Sequence, residues 1–237
     1  MSKLYVVTTP IGNLEDITLR ALRVLNEVSI IAAEDTRVTR RLLSRYNIST
    51  PTTSFHDHNA RSKLAILLKR LEEDDIAIVC DAGTPAINDP GQELVSAAVE
   101  NGVEVAVIPG TSALTAAIAV SGIPMKSFVH LGFLPRASRK RKQLLESIAS
   151  EQRGIVAFET PHRLQASLHD LLAHLGDRQV SVCRELTKLH DEAFRGRVSE
   201  AATHFDKPRG EFTLVIEGLR TSEKPDVAVD PRPLLEE

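Results

Sequence analysis

Three glycines stand in polar loops of the first half of the chain: Gly12 in Thr9-Pro10-Ile11-Gly12-Asn13, Gly83 in Asp81-Ala82-Gly83-Thr84-Pro85, and Gly110 in Pro109-Gly110-Thr111-Ser112. Lacking a Cβ, glycine lets a ligand approach the backbone. A carboxylate such as Asp81 can accept hydrogen bonds from a ribose, a hydroxyl or an ammonium group. Two further loops, Glu34-Asp35-Thr36-Arg37 and His56-Asp57-His58-Asn59, are strongly polar. Neither a G-x-G-x-x-G fingerprint nor a G-x-x-x-x-G-K-[ST] loop occurs, which disfavours a dinucleotide enzyme or a P-loop NTPase. His56, Asp57 and His58 are metal-ligand types, but two histidines at i and i+2 lack further partners at a metal-site spacing, so no metal is expected. Ser112 belongs to no G-x-S-x-G elbow, and only Cys183, beside Arg184, has a neighbour that favours thiolate, so covalent catalysis is unsupported.

The elements that must hold these loops alternate. Short apolar runs at 4–8, 28–33, 53–55, 76–80 and 103–108 read as strands. Between them, residues 17–25, 39–46, 61–71 and 93–100 place apolar side chains three and four apart, as helices packed on a sheet do. Strand, helix, strand in this order predicts a parallel sheet with right-handed crossovers. In such sheets ligands gather at the carboxyl ends of the strands, and all five loops fall on that rim.

Residues 112–120 form a small apolar helix suited to burial, and Gly122-Ile123-Pro124 marks an expected boundary between an N-terminal domain (1–122) and a C-terminal one (123–220). In the second unit, strands are predicted at 127–133, 154–158, 179–183 and 212–217, with helices at 140–150 and 163–175. Residues 221–237 hold three prolines and little periodicity, which predicts a mobile tail.

Composition sets bounds on function. With 237 residues, 42% hydrophobic and 26% charged, the chain is an ordinary globular protein. The length suits two domains of roughly a hundred residues. Cys80 and Cys183 each end an apolar run, so buried reduced thiols are expected rather than a disulfide framework. No signal-peptide core and no run of membrane-spanning length appears, which predicts a cytoplasmic protein with no membrane partner. The net charge of −3 argues against a surface that grips polyanions everywhere, so nucleic-acid contact must come from local patches. Arg136, Arg139, Lys140, Arg141 and Lys142 form one candidate, and Arg37, Arg40, Arg41 and Arg45 another.

Several motifs resemble one known family. TPIGNLEDIT (9–18), AAEDTR (32–37), HDHN (56–59), DAGTPAINDPG (81–91), PGTSALTAA (109–117), GFLP (132–135), FETPHRL (158–164), RELTK (184–188) and RGEFTLVIEG (209–218) follow one another in the order found in the tetrapyrrole methylase superfamily. EDTR, HDHN and FETPHRL resemble the branch that modifies ribosomal RNA. The resemblance implies an α/β fold of two domains, the first with a parallel and the second with a mixed sheet, binding S-adenosylmethionine in the cleft between them, usually as a homodimer. Carried over residue by residue, it implies donor contacts at Ile11, Gly12, Asp81, Gly83, Thr111, Ser112 and Ala113, and from the second half at Leu131, Glu185, Leu186 and Gly210. Thr111 departs from the pattern, which often has a second proline there; members also often continue into a further small helical segment.

For this branch the implied reaction is methylation of the 2'-hydroxyl of a cytidine in the decoding region of 16S ribosomal RNA. A sulfonium carbon already carries a good leaving group, so alignment and removal of the hydroxyl proton are what the protein must supply. Asp35, His56, Asp57, Glu159 and Glu185 are candidate bases, unranked. Arg37, His162 and Arg163, with the run Arg136, Arg139, Lys140, Arg141 and Lys142, are candidate RNA contacts. A small tetrapyrrole-like acceptor, and a donor-binding module without catalysis, are the competing readings.

Overall fold

The computed structural model describes residues 2–87 and 91–220; residues 88–90 and the expected tail at 221–237 lie outside the described residues. Two five-stranded sheets make up the molecule.

The first contains β1 (Lys3–Val7), β2 (Ile30–Ala33), β3 (Thr52–Ser54), β4 (Ile76–Val79) and β5 (Glu104–Ile108) in the order β3-β2-β4-β1-β5, all parallel. Every residue of β2 and β4 is buried. Burial on both faces is what parallel strands between helix layers require, and it explains why these strands read as unbroken apolar runs. Side chains alternate between two cores. Leu4, Val6, Ile30, Ala32, Ile76 and Ile78 meet α3 (Ala60–Arg70) and α4 (Gln92–Glu100) on one face. Val7, Ile31, Ala33, Ala77 and Val79 meet α1 (Leu19–Glu27) and α2 (Thr36–Arg45) on the other. Thr18 caps α1 by accepting from the Ala21 amide at 3.0 Å, which sets its start two residues after the apolar periodicity begins.

The strand order reverses between β4 and β1. From β1 the chain goes outward to β2 and β3, returns to β4, then crosses to β5 on the far side. The two loops at this switch point are tied by a backbone bridge, Thr9 N to Gly83 O at 2.9 Å and Gly83 N to Thr9 O at 3.1 Å. A crevice at the carboxyl ends of the strands follows from that topology.

The second sheet has β6 (Phe128–Phe133), β7 (Gly154–Glu159), β8 (Gln179–Arg184), β9 (Glu192–Arg197) and β10 (Phe212–Ile216) in the order β6-β7-β10-β8-β9. Only β6 and β7 pair in parallel, so the sheet is mixed. One face packs on α6 (Ser138–Ser147), α7 (Pro161–Leu175) and α8 (Val198–His204) through Leu145, Leu164, Leu168 and Ala201. The other face receives α5 (Ala113–Ser121): Ala117, Leu114 and Ile118 pack on Val156, Cys183 and Val215. The apolar helix that precedes Gly122 in sequence thus lies on the second sheet and couples the halves. Its outer side, with Thr115, Ala119 and Val120, is exposed. β9 and α8 were not expected from the sequence. β9 is an edge strand whose exposed face carries Arg195 and Arg197, and α8 has only seven residues, too short for a periodic signal.

Candidate active site

Between the switch point of the first sheet and the α5 face of the second lies a cavity of about 340 Å³. That volume is at the small end of ligand sites, which run from roughly 300 to 1,000 Å³.

Its first wall consists of Ile11, Glu34 and residues 81–84. The loops that end β2 and β4 are cross-tied there: the Asp35 amide donates to Asp81 Oδ1 at 3.0 Å, and the Asp81 amide donates to Glu34 Oε2 at 3.2 Å. Burial, aided by repulsion from Asp81, Asp57 and Asp35, pushes the Glu34 carboxyl above the ordinary range, against the pull of the Asp81 amide. Burial also raises Asp81, again against an amide hydrogen bond, from Asp35. Two carboxyls made reluctant to ionise in one cleft are characteristic of sites that handle protons or cations. Asp35 is different. It caps α2, and its ion pair with Arg37 at 2.6 Å holds it well below the usual carboxylate range. His56 and Asp57 lie on the same rim but do not line the cavity. The His56 Nε2 is 3.2 Å from the Asn59 amide nitrogen, and Asp57 acts on Glu34 only through its charge.

Ser112, Ala113 and Leu114 bring the N-terminus of α5 to the cavity. Ser112 makes no side-chain capping bond, so the first-turn amides are not capped and face the space with the positive end of the helix dipole. Thr111 is turned away, its hydroxyl donating to the Thr9 carbonyl at 2.8 Å.

The second wall comes from the mixed sheet: Phe133, Phe158, Cys183, Leu186 and residues 211–213. Burial raises the Cys183 thiol, so it lacks the thiolate character of a nucleophile. Glu159 is 1% exposed and fully engaged. Its Oε1 accepts from the Thr160 amide at 2.7 Å and meets Arg163 at 2.7 Å, while Oε2 accepts from the Ser167 hydroxyl at 2.5 Å. Arg163 also donates to the Leu134 carbonyl at 2.8 Å, so both members of this pair anchor the start of α7. His162 is exposed beside them.

After β8 the chain is strained. Glu185 and Thr187 have φ of 50° and 67°, values that non-glycine residues hold only when their surroundings dictate it. Here the Glu185 amide donates to the Glu211 carbonyl at 3.0 Å, and Glu185 Oε1 accepts from the Glu211 amide at 2.9 Å and Lys188 Nζ at 3.0 Å. Burial would raise Glu185, but the Glu211 amide and Lys188 outweigh it and hold the carboxyl low. The strained turn presents Leu186 to the cavity. It also meets the loop after β1, where the Asn13 amide donates to Thr187 Oγ1 at 3.1 Å. A first side-chain carbon at position 12 would lie 2.5 Å from Lys188 Cγ and 3.0 Å from the Leu186 carbonyl oxygen, so glycine permits this contact between the halves.

Of the donor contacts anticipated from sequence, Ile11, Asp81, Gly83, Ser112, Ala113 and Leu186 line one cavity. Gly12, Thr111, Glu185 and Gly210 sit behind it, Gly210 directly against the Glu185 side chain. Leu131 packs against the core beneath the helices of the second sheet. Glu34, Phe133 and Phe158 line the cavity without having been named as site residues; Glu159, a candidate base, lines it too, as does Cys183, expected only as a buried thiol. Glu34 had a signal, being the first residue past a buried strand, whereas the two phenylalanines looked like ordinary strand residues.

The basic run divides. Arg136, Arg139, Lys140 and Lys142 are exposed around the start of α6. Arg141 is a correction to the sequence reading: it is 5% exposed and turned inward, donating from Nε to Asp170 Oδ2 at 2.7 Å, with Nη2 at 2.6 Å. It lies one turn before the buried Leu145, on the stripe that faces the core, and its stem packs there.

Known proteins share this architecture. The family profile described as Tetrapyrrole (Corrin/Porphyrin) Methylases matches residues 3–202. A Thermotoga maritima protein named Ribosomal RNA small subunit methyltransferase I is 52% identical over 221 residues, covering 92% of this chain and 99% of the relative. Its Synechocystis namesake is 49% identical over 229 residues, covering 95% of this chain and 82% of the relative. The crystal structure of uroporphyrin-III-C-methyltransferase from Thermus thermophilus has the same fold, with a TM-score of 0.64 at 19% identity over 92% of this chain and 94% of that one.

Proposed function

The chain belongs to the tetrapyrrole (corrin/porphyrin) methylase family, and from that premise we propose that it methylates the 2'-hydroxyl of a cytidine ribose in the decoding region of 16S ribosomal RNA, using S-adenosylmethionine. The observation that carries this reading is the shared cavity, with two burial-raised carboxyls on one wall and uncapped helix amides beside them. The relatives' names point to small-subunit ribosomal RNA as the acceptor, and the cytidine 2'-hydroxyl rests on the motif resemblance.

The lining fits the donor. The α5 amides suit a carboxylate, Asp81 suits a hydroxyl or ammonium group, and Gly83 and Ala113 leave room for close approach. When bound, S-adenosylmethionine supplies an electrophilic methyl with a neutral leaving group. The remaining task is to align an oxygen with that methyl and to take its proton. Glu34 is the base we favour, because it lines the cavity and its raised carboxyl is closer in proton affinity to a weakly acidic hydroxyl. Among the other candidate bases, Asp35 is tied to Arg37, Glu159 lines the cavity but has both oxygens engaged, and Glu185 sits behind the cavity with Oε1 held by Lys188 and the Glu211 amide. Exposed Arg136, Arg139, Lys140, Lys142, Arg37 and His162 would meet phosphates, positioning the RNA without reading its sequence. No helix among the described residues is long and apolar enough to cross a membrane. We read the working unit as a homodimer in the cytoplasm.

The test is incubation with methyl-labelled S-adenosylmethionine and either small ribosomal subunits or a tetrapyrrole acceptor. Label in the subunit RNA is expected. Label in the tetrapyrrole, or in neither, would overturn the reading.

A further inference from the structure

β6 contains a fault in its pairing. Phe128, Val129 and His130 face Gly154, Ile155 and Val156 in regular register, but Phe133 then faces Phe158, so β6 holds one more residue than β7 over this stretch. Such a bulge inverts the side-chain alternation beyond it. Gly132 accommodates it with a φ of 64°. In unbroken register Phe133 would pair with Glu159, on the same face as Leu131, Ile155 and Ala157, which pack under the helices. The bulge transfers it to the face of Val156 and Phe158, toward α5 and the cavity.

The result is an aromatic ring held out at the mouth of the site. Phe133 remains 52% exposed although burial under α6 and α7 lay one residue of register away. Phe158 lies beneath it, ring centroids 5.6 Å apart and tilted by 54°, and is itself backed edge-on by His130 at 4.9 Å. Three residues after Phe133 the exposed basic run begins, with Arg136, Arg139 and Lys140. An exposed ring beside phosphate-binding charges is the combination by which proteins hold unstacked bases of RNA.

We propose that Phe133, supported by Phe158, is the platform on which the base of the acceptor nucleotide stacks while its ribose enters the cavity. The inference rests on the RNA reading above and assigns a specificity-determining residue within it. Stacking on the ring would stabilise a base drawn out of its helix, and the basic run would hold the flanking backbone.

The experiment compares wild-type protein with Phe133→Leu, Phe133→Ala and Phe133→Trp, using unmethylated small ribosomal subunits as acceptor and S-adenosylhomocysteine as calorimetric probe of the donor site. The leucine and alanine variants are expected to lose roughly 10- to 100-fold in kcat/KM for subunits. Their affinity for S-adenosylhomocysteine should stay at the wild-type value, and tryptophan should restore turnover. Leucine as active as phenylalanine would overturn the proposal, since the ring would then only fill space. A parallel fall in S-adenosylhomocysteine affinity would also overturn it, by assigning the ring to the donor. Wild-type protein that fails to label subunits at all would instead sink the RNA reading, and the platform with it.

Discussion

Replacing Arg141 by alanine separates the one buried charge of the basic run from its exposed neighbours. The Arg141 side chain is 6% exposed and that of Asp170 13%, and their contacts of 2.6 and 2.7 Å are charge-assisted. Removing one partner of a buried pair typically costs about 3–5 kcal/mol, because the other charge is left desolvated. Lys142 Nζ, 3.9 Å from the second Asp170 oxygen, offers partial compensation, which sets the expectation near the lower end. At roughly 2–4 °C per kcal/mol for a chain of this size, a loss of about 3 kcal/mol lowers the melting temperature by about 6–12 °C. The double variant Arg141→Met with Asp170→Leu should recover most of that, since apolar replacement of a buried pair is often neutral. By contrast, glutamine at Arg136, Arg139, Lys140 and Lys142 should change stability little and instead lower the salt dependence of subunit binding, by about 0.7 in logarithmic slope per lost phosphate contact. Thermal unfolding and subunit binding at several salt concentrations measure both. An Arg141→Ala protein that melts like wild type, yet binds subunits as weakly as the exposed-charge variants, would refute the reasoning.

Three other outcomes follow from the site. Glu34→Gln should lower kcat roughly 100- to 10,000-fold with little change in S-adenosylhomocysteine affinity. It should also raise thermal stability at neutral pH: burial raises this carboxyl in the fold, so its ionised form carries a cost that is present above the folded pKa and relieved as pH falls toward the unfolded value. An equally active or less stable Glu34→Gln protein would contradict both roles. Asp81→Ala should weaken calorimetric binding of S-adenosylmethionine by roughly 10- to 100-fold, as loss of a hydrogen bond to a charged group does, and unchanged affinity would remove Asp81 from the donor site. Ser167→Ala leaves a buried Glu159 oxygen unmatched and should cost about 1–3 kcal/mol in urea unfolding while leaving turnover at low temperature intact. Turnover that falls with the serine while stability holds would point to Glu159 in the chemistry.

Most of the first sheet could be read from the chain, because buried parallel strands such as Ile30–Ala33 and Ile76–Val79 are short apolar runs and their carboxyl-end loops are polar. In the second sheet the apolar strands were legible, edge strand β6 included, and β9 was not. Edge strand β9 mixes glutamate, arginine and glycine, and its pairing with β8 comes from tertiary context. The bulge showed only as Gly132 inside a strand run, since Phe128–Phe133 has no alternation of polar residues to show the change of face. Arg141 did leave one. It lies at i of an i, i+3, i+4, i+7 stripe with Leu144, Leu145 and Ile148, a position that faces the core whatever the residue. Glu34 was obscured by Asp35, whose neighbouring carboxyl serves the helix cap instead.

The position of the transferred methyl group bears most directly on ribose methylation at the cleft. Subunit RNA labelled by the purified protein is digested to nucleosides and separated. The result expected is label in 2'-O-methylcytidine, confined to one site of the 16S RNA and appearing at least about 100-fold more slowly with Glu34→Gln. Label on a base atom, or spread over many nucleotides, would contradict it.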